Sequence, residues 1–462
     1  MGDNSPVSLL AQRYASAGMR EIFAPESKII SERKLWIAVM RAQSKLGHKI
    51  EDSVIADYEK VINKVDLASI DAREKQTRHD VKARIEEFNA LAGHEAIHAG
   101  MTSRDLTENV EAMQIRDGLQ LAHDRVVATL GLLGTLATKY IDQPIAGRSH
   151  NVPAQITTLG KRFASSAEEL LFAYNRLDNL ISRYPIRGIK GPVGTAQDSV
   201  DLLGSSASHA KLESEVAKYL GFENVLDSTG QIYPRSFDFD VVTTLVQLAA
   251  APSSLATSIR LMAGAELVTE GFKAGQVGSS AMPHKMNSRS SERINGMMVL
   301  LRGYNTMAAD LAGNQWNEGD VSCSIVRRVV IPDSFYVIDG LLHTFMTILQ
   351  EFGAFEEKIN SELKENLPLL ATTKILLECV KSGMGREAAH ELIKKHSTKS
   401  SDFFAGMAQE SGFPLSEEQL ESFIEDPADF AGNAEKQSAE VQKLISDKIK
   451  GKISKVVLSE LR

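Results

Sequence analysis

Three polar segments carry the residue types that acid–base and anion chemistry need. The first is Thr77-Arg78-His79-Asp80-Val81, followed by His98-Ala99-Gly100-Met101-Thr102-Ser103-Arg104-Asp105. The second is Gly147-Arg148-Ser149-His150-Asn151-Val152-Pro153-Ala154-Gln155, then Thr157-Thr158-Leu159-Gly160. The third is Gly278-Ser279-Ser280-Ala281-Met282-Pro283-His284-Lys285-Met286-Asn287, then Glu292. His79 and His150 sit among loop-like neighbours, away from the apolar stripe of any helix. An imidazole is the side chain best suited to proton transfer near neutral pH. The third segment is loosened by Gly271, Gly275 and Gly278, its serines expose backbone N–H groups, and Lys285 adds a fixed positive charge. Entering a helix near Ser290–Glu292, such a loop holds an anion with amides, hydroxyls and an ammonium together. The chain has 11 histidines, so residue type alone does not assign the chemistry to these two.

Two other motifs fail on their context. His94-Glu95-Ala96-Ile97-His98 fits H-E-x-x-H, in which two imidazoles on one helix face ligate zinc and the glutamate is the base. A third-ligand extension would need a glycine and a histidine at fixed later positions. Here Gly100 comes one residue early and Arg104 stands in the third-ligand place, so we read no metal site. Gly383-Met384-Gly385-Arg386-Glu387-Ala388 matches G-x-G-x-x-A, but it follows an apolar helical stretch rather than a strand. It reads as a helix boundary, and no cofactor is expected.

The elements that must position these segments are nearly all helices. Apolar residues at three- and four-residue steps predict helices over 26–47 and 51–63, with Gly47 closing the first. From 108 to 142 there is no proline and no turn cluster, and Val110, Met113, Leu119, Val126, Leu130 and Leu133 keep the period. A helix of that length spans about 50 Å at roughly 1.5 Å per residue. Similar stretches run over 161–183, 238–272 with a kink at Pro252, 292–311 and 332–352. Long periodic helices pack side by side in an elongated bundle. From about 365 the helices shorten, broken by Gly383, Gly385, Gly412 and Pro427. Strand patterns are few, at 185–190 and 231–236. The expected fold is all-α, with an N-terminal region 1–107, a central long-helix bundle 108–364 and a C-terminal region 365–462.

Composition narrows the setting. The chain has 462 residues, 43% of them apolar, which supports a large core and excludes disorder as the dominant state. Lys and Arg number 52 against 60 Asp and Glu, a balance of −8, so no general nucleic-acid coat is expected. The strongest apolar run, Val126 to Ala137, has about a dozen residues where a membrane span needs about 20. Two cysteines, Cys323 and Cys379, make no disulfide framework and suit a reducing compartment. A cytoplasmic protein without a membrane segment is expected. The basic C-terminal stretch with Lys443, Lys448, Lys450, Lys452 and Lys455 reads as a solvated helix face.

With these residues in view, the chain resembles the fumarase/aspartase superfamily and, within it, the adenylosuccinate lyases. The G-S-S-x-M-P-x-K-x-N block at 278–287 is similar to the superfamily's signature loop. T-R-H-D-V at 77–81 and H-x-G-x-T-S at 98–103 are similar to adenylosuccinate lyases in particular. So are Arg13-Tyr14, Thr229-Gly230-Gln231 with Arg235, and Ser324 with Arg327-Arg328. The likeness runs from about residue 13 to about residue 400. It implies an anti β-elimination that releases fumarate, from adenylosuccinate to give AMP and from SAICAR to give AICAR, with no metal or organic cofactor. The carbanion formed is a doubly charged aci-carboxylate, which needs preorganised positive charge and N–H donors. The family fold implies a homotetramer with a twenty-helix core and active sites shared among three subunits.

Residue by residue, the resemblance implies that Ser279 is the general base. His150 is implied as the general acid, with Glu292 orienting it. His79 assists substrate placement and the phosphate end. Lys285 and Asn287 hold the fumaryl carboxylates, joined by Thr102 and Ser103, and Gln231 contacts the substrate. Arg13, Tyr14, Arg235, Ser324 and Arg328 are implied for the phosphate, and Arg78, Asp80, Ser280 and Met282 complete the binding surface. The chain departs from the family pattern in Ser288 for proline, Ser149 for threonine, and Gly319 for a phosphate-contacting arginine. Arg327 or another side chain is expected to substitute for the last. T-R-H-D-V and Arg13-Tyr14 separate the chain from argininosuccinate lyases, fumarases, aspartases and carboxymuconate cycloisomerases. A catalytically dead helical scaffold is disfavoured because Ser279, His150, His79, Lys285 and Glu292 occur together.

Overall fold

In the computed structural model the described residues are 8–271, 282, 284–397, 403–450 and 452. Helix α1 (Pro25–Lys45) begins on Pro25, whose missing N–H costs nothing in a first turn. It closes before Gly47, which takes a φ of 97°. Helix α2 (Asp80–Ala92) is capped by His79 itself, whose Nδ1 accepts the N–H of Lys82 at 3.3 Å. Helix α3 (Ser103–Lys139) runs 37 residues and starts five residues earlier than its apolar period suggests. The reason is polar: the Asp105 carboxylate reaches back to the N–H of Thr102 at 2.7 Å and caps the first turn.

After α3 the chain makes a hairpin where the polar, proline- and glycine-bearing sequence suggests a loop. Strand β1 (Pro144–Ser149) pairs antiparallel with β2 (Val152–Thr158), with a bulge at Gly147/Arg148. Four long helices follow: α4 (Leu159–Arg183), α5 (Ser236–Gly264), α6 (Arg289–Leu311) and α7 (Cys323–Glu351). Helix α7 begins nine residues before the expected start, because Pro332 lies inside it rather than at its head. Helix α8 (Glu356–Leu370) leads to the C-terminal region.

Helices α3 to α7 lie side by side as one five-helix bundle. Val110, Leu119, Val126, Leu133, Leu245 and Phe335 are among the fully buried side chains of its core. Helices α5 and α7 have the length and hydropathy of membrane-crossing segments, but 56% and 72% of those stretches are buried inside the protein, so their apolar faces serve this core. The starts of α3, α5 and α7 meet at one end of the bundle, where Arg235 binds Glu108 and Arg327 binds Asp238. The hairpin, the end of α5 and the start of α6 lie at the other end. There Val268 pairs with Ala354 beyond the end of α7.

The expected strands at 185–190 and 231–236 do not form; the first keeps one isolated bridge, Ile186 to Val225. Their N–H groups go to side chains instead. Gly188 donates to Asn109, Ile189 to Glu213, Lys190 and Gly191 to Asp105, and Tyr233 to Glu108. A second small core runs from Ala371 to Leu420. The Ala434–Ile449 helix then returns to pack Val441, Ile445 and Ile449 against α3 and α4. Lys443, Lys448 and Lys450 on it are exposed, and Lys452 donates to the Tyr174 hydroxyl at 2.6 Å; Lys455 lies outside the described residues.

Candidate active site

At the first end of the bundle, Asp105 gathers three segments. Its Oδ1 accepts from Arg187 Nη1 at 2.5 Å and from the N–H groups of Lys190 and Gly191 at 2.8 and 3.0 Å, while Oδ2 takes Thr102. Arg187 then donates through Nη2 to the carbonyls of Gly191 and Gly230, both at 2.8 Å. Asp105 and Arg187 are fully enclosed. The pair therefore fixes the backbone of Thr102-Ser103 and of Gly230-Gln231 relative to one another. The N–H of Gln231 donates to the Glu318 carbonyl at 2.6 Å. A side chain at 319 would put its Cβ 2.8 Å from Gln231 Cβ, so Gly319 is what lets the two segments close.

His79 stands at the same end, exposed, next to the left-handed Arg78, which ends the preceding Leu67–Thr77 helix at φ 52°. Asp80 pairs with Arg84, which also binds the buried Glu32. Burial outweighs that arginine and pushes the Glu32 carboxyl up to about 6. His98, φ 70°, accepts the Trp36 indole N–H at 3.1 Å, and burial pushes its pKa down, which suits an acceptor nitrogen. His94 turns to Asp57 at 2.9 Å. Residues 94–98 are not helical, so the two imidazoles of H-E-A-I-H share no face and have separate partners.

The arginines expected around the phosphate divide. Arg235 is buried and clamps Glu108 through Nη1 and Nη2, both at 2.9 Å. Arg327, the expected substitute for the cation missing at 319, is also buried. It is held by Asp238 at 2.7 Å, by Glu111 and by the Tyr233 hydroxyl. Burial would raise the Glu111 carboxyl, but Arg327 and Lys28 override it and hold it down to about 2. These two guanidiniums are committed to carboxylates, and that role displaces direct anion binding. Arg328 is exposed, and the Ser324 hydroxyl accepts from Arg104 Nη2 at 3.1 Å.

The second end carries His150. It sits at the hairpin tip with φ 53°, followed by Asn151 at φ 63°. Two successive positive φ values make the tight turn whose twist suits a two-residue hairpin. His150 is exposed there, and Arg148 braces the turn through the Asn151 carbonyl and Glu362. Ser279 and Ser280 lie outside the described residues. Lys285, Asn287 and Glu292, with Glu270 and Arg260, line a cavity of 1240 Å³. Met282 is exposed. Glu270, which no sequence motif marked, caps α6: it accepts from the N–H groups of Ser290 and Ser291 at 2.8 and 2.9 Å and from the Ser291 hydroxyl at 2.8 Å. Glu292 is exposed and lies 3.8 Å from Arg260. The next residue on α6, Arg293, joins Arg13, Tyr14, Arg20 and His343 around a recess of 340 Å³. That recess has the charge to take a phosphate.

One chain therefore does not bring these residues together. Arg78, His79, Asp80, Thr102, Ser103, Gln231 and Ser324 belong to the first end, and His150, Lys285, Asn287 and Glu292 to the second. Between them runs α3, 37 residues, about 55 Å long at roughly 1.5 Å per residue.

Comparison with known proteins bears on what this arrangement does. A family model described as lyase matches residues 16–303, and one described as adenylosuccinate lyase C-terminus matches residues 368–441. The adenylosuccinate lyase of Saccharomyces cerevisiae is 32% identical over 446 residues, spanning 93% of this chain and 92% of that one. That of Schizosaccharomyces pombe is 33% identical over 393 residues, spanning 83% and 81%. Among solved structures, a 3-carboxy-cis,cis-muconate lactonizing enzyme from Pseudomonas putida has a TM-score of 0.82 at 19% identity, covering 96% of this chain and 99% of that one. A fumarate lyase from Mesorhizobium sp. BNC1 has a TM-score of 0.80 at 22% identity, covering 93% and 98%. At such identities the likeness speaks for the fold.

Proposed function

The chain belongs to the adenylosuccinate lyase family, and on that premise we propose that it eliminates fumarate from adenylosuccinate, giving AMP, and from SAICAR, giving AICAR, at sites shared between copies of a homotetramer. The observation that carries the shared site is the separation just described. His79 with Thr102 and Ser103, and His150 with Lys285 and Asn287, are useful to one substrate only if the first end of one copy meets the second end of another.

The bundle offers a surface for that meeting. Val321, Ile325 and Val329 recur at four-residue steps on α7 and its lead-in, and Val299, Leu300 and Met307 stand out from α6. Ile325 is 75% exposed and Val299 65%, an apolar face that a second copy would cover. Five long helices per chain make a quarter of a twenty-helix core.

In the assembled site the substrate brings a phosphate and two carboxylates. Lys285, Asn287, Thr102 and Ser103 take the succinyl carboxylates, so negative charge that develops on Cβ deprotonation spreads toward an ammonium and N–H donors. Ser279 removes the Cβ proton from one face. His150 protonates the leaving nitrogen from the other, with Glu292 orienting its ring. His79 and Gln231 align the nucleotide, and Ser324, Arg328, Arg13 and Tyr14 receive the phosphate. Two free, buried cysteines fit a cytoplasmic setting.

The test is fumarate release from adenylosuccinate and SAICAR, with size measured in parallel. We expect a tetramer, and Ser279→Ala, His79→Gln and His150→Gln each inactive. Mixing the two histidine variants under subunit exchange should restore about a quarter of wild-type activity, since half the copies supply each intact end. No release from either substrate overturns the activity. No recovery in a demonstrably exchanged mixture overturns the shared site.

A further inference from the structure

We infer that Arg104 is a further cation that takes the substrate's phosphate beside Ser324, alongside the exposed Arg328, an assignment that rests on the adenylosuccinate lyase reading. Four arginines, Arg104, Arg187, Arg235 and Arg327, gather around the acids Asp105, Glu108 and Glu111 at this end of the bundle, and three are spent. Arg187 is on Asp105, Arg235 on Glu108, and Arg327 on Asp238 and Glu111, all three buried. Pulling any of them toward a ligand would strand a buried carboxylate, which folded proteins strongly disfavour.

Arg104 is different. Its side chain is 17% exposed, and its contact with Glu108 is single-point, Nη1 to Oε1 at 3.2 Å. Glu108 already takes the two-pronged grip of Arg235 and stands 3.9 Å from Arg327. One carboxylate facing three guanidiniums leaves the outermost one least neutralised. Arg104 donates to Glu108 and Ser324, so three of its five N–H groups have no partner among the described residues. Because Ser324 Oγ accepts from Arg104, its own hydrogen is left to point at an anion. Guanidinium and hydroxyl together offer the donors that a phosphate monoester binds. Gly319 cannot supply them: its side-chain direction is filled by Gln231. Arg104 reaches the same serine from α3 instead of from the segment before α7.

The test is Arg104→Gln in the full-length enzyme, with binding of AMP, adenosine and fumarate measured as inhibition of turnover. We expect AMP to weaken tenfold or more, adenosine and fumarate to stay within twofold, and Arg104→Lys to recover part of the loss. A merely structural role would weaken adenosine as much as AMP, and a carboxylate role would weaken fumarate and spare AMP; either result overturns the assignment. So does an Arg104→Gln enzyme that binds AMP as the wild type does. A wild-type enzyme that neither binds AMP nor turns over adenylosuccinate overturns the functional reading itself, and this assignment with it.

Discussion

Replacing Asp105 by Asn tests whether one buried carboxylate sets the geometry of the substrate-facing backbone. The aspartate accepts four N–H donors, from Arg187, Lys190, Gly191 and Thr102. Asparagine keeps one oxygen and places an NH2 where the other stood. If the oxygen stays on the Arg187 side, the amide faces the Thr102 N–H, donor against donor. The cap of α3 is lost, at about 1 kcal/mol. The stranded N–H costs about 1–3 kcal/mol. Arg187, fully enclosed, also loses its counter-charge, and breaking a buried pair from one side costs about 3–5 kcal/mol. These terms overlap, so the total is about 3–5 kcal/mol rather than their sum. Arg187 also anchors Gly230, so Thr102-Ser103 and Gln231 lose their common brace. If substrate must re-order them, about 3 kcal/mol becomes roughly a hundredfold loss in kcat/KM, expressed mainly in KM. Steady-state fumarate release and thermal unfolding measure the two effects. The exposed pair of Asp71 with Lys75, at 2.5 Å, supplies the control: Asp71→Asn should change neither. A kcat/KM within threefold of wild type and an unshifted Tm for Asp105→Asn would refute the reasoning.

Glu32→Gln should change how stability depends on pH. The Glu32 carboxyl rises from 4.5 to about 6 on folding, so its contribution is full below 4.5 and is lost as pH climbs through 6. That displacement corresponds to roughly 2 kcal/mol; in a pH series of thermal midpoints the variant should gain on the wild type between 4.5 and 6, and parallel curves would count against it. Glu270→Gln removes the charge that caps α6, about 1–2 kcal/mol, and should lower kcat more than Tm, since Lys285, Asn287 and Glu292 flank that helix start. Unchanged amide exchange at 289–293 would contradict this. Asn151→Val places a branched side chain at φ 63°, a cost of about 1–2 kcal/mol. It should cut kcat at least tenfold by re-aiming His150, whereas Asn151→Gly keeps the turn and most of the activity.

The bundle was legible because apolar residues keep a 3.6 period without proline across α3, α4 and α6. The errors fell where polar groups decide the backbone. Residues 185–190 and 231–236 have strand-like side chains, yet their N–H groups find Asp105, Asn109, Glu213 and Glu108 before any partner strand. The hairpin was missed for the opposite reason. Pro144, Gly147, Asn151 and Pro153 look like loop, and few of its side chains are buried: Ile145, Ala146, Ile156 and Thr158. Its pairing is held by the turn at His150-Asn151 and by contact with α8, neither of which leaves an alternating pattern.

The candidate residues stood out as motifs and the family resemblance implied shared sites, but which residues lie at which end of the bundle and the fate of the arginines were not legible. One signal for the latter did exist. Asp105, Glu108 and Glu111 recur every three residues at the head of a helix, interleaved with the apolar Leu106, Val110 and Ala112. Acids on such a face enter a core only with cations to meet them, a signal that arginines such as Arg187, Arg235 and Arg327 would be drawn to them, against the expectation that Arg235 and Arg327 face the phosphate. The separation follows from the same helix. An uninterrupted apolar period makes α3 easy to read and makes it rigid, and a rigid rod of about 55 Å cannot fold its ends onto one substrate. Within one copy, His79 and His150 can act together only if the bundle breaks, and its buried core opposes that. In the proposed assembly a second copy against the exposed face of α6 and α7 would supply the missing end with the core intact. That is why we place the active site between copies rather than in any cavity of one.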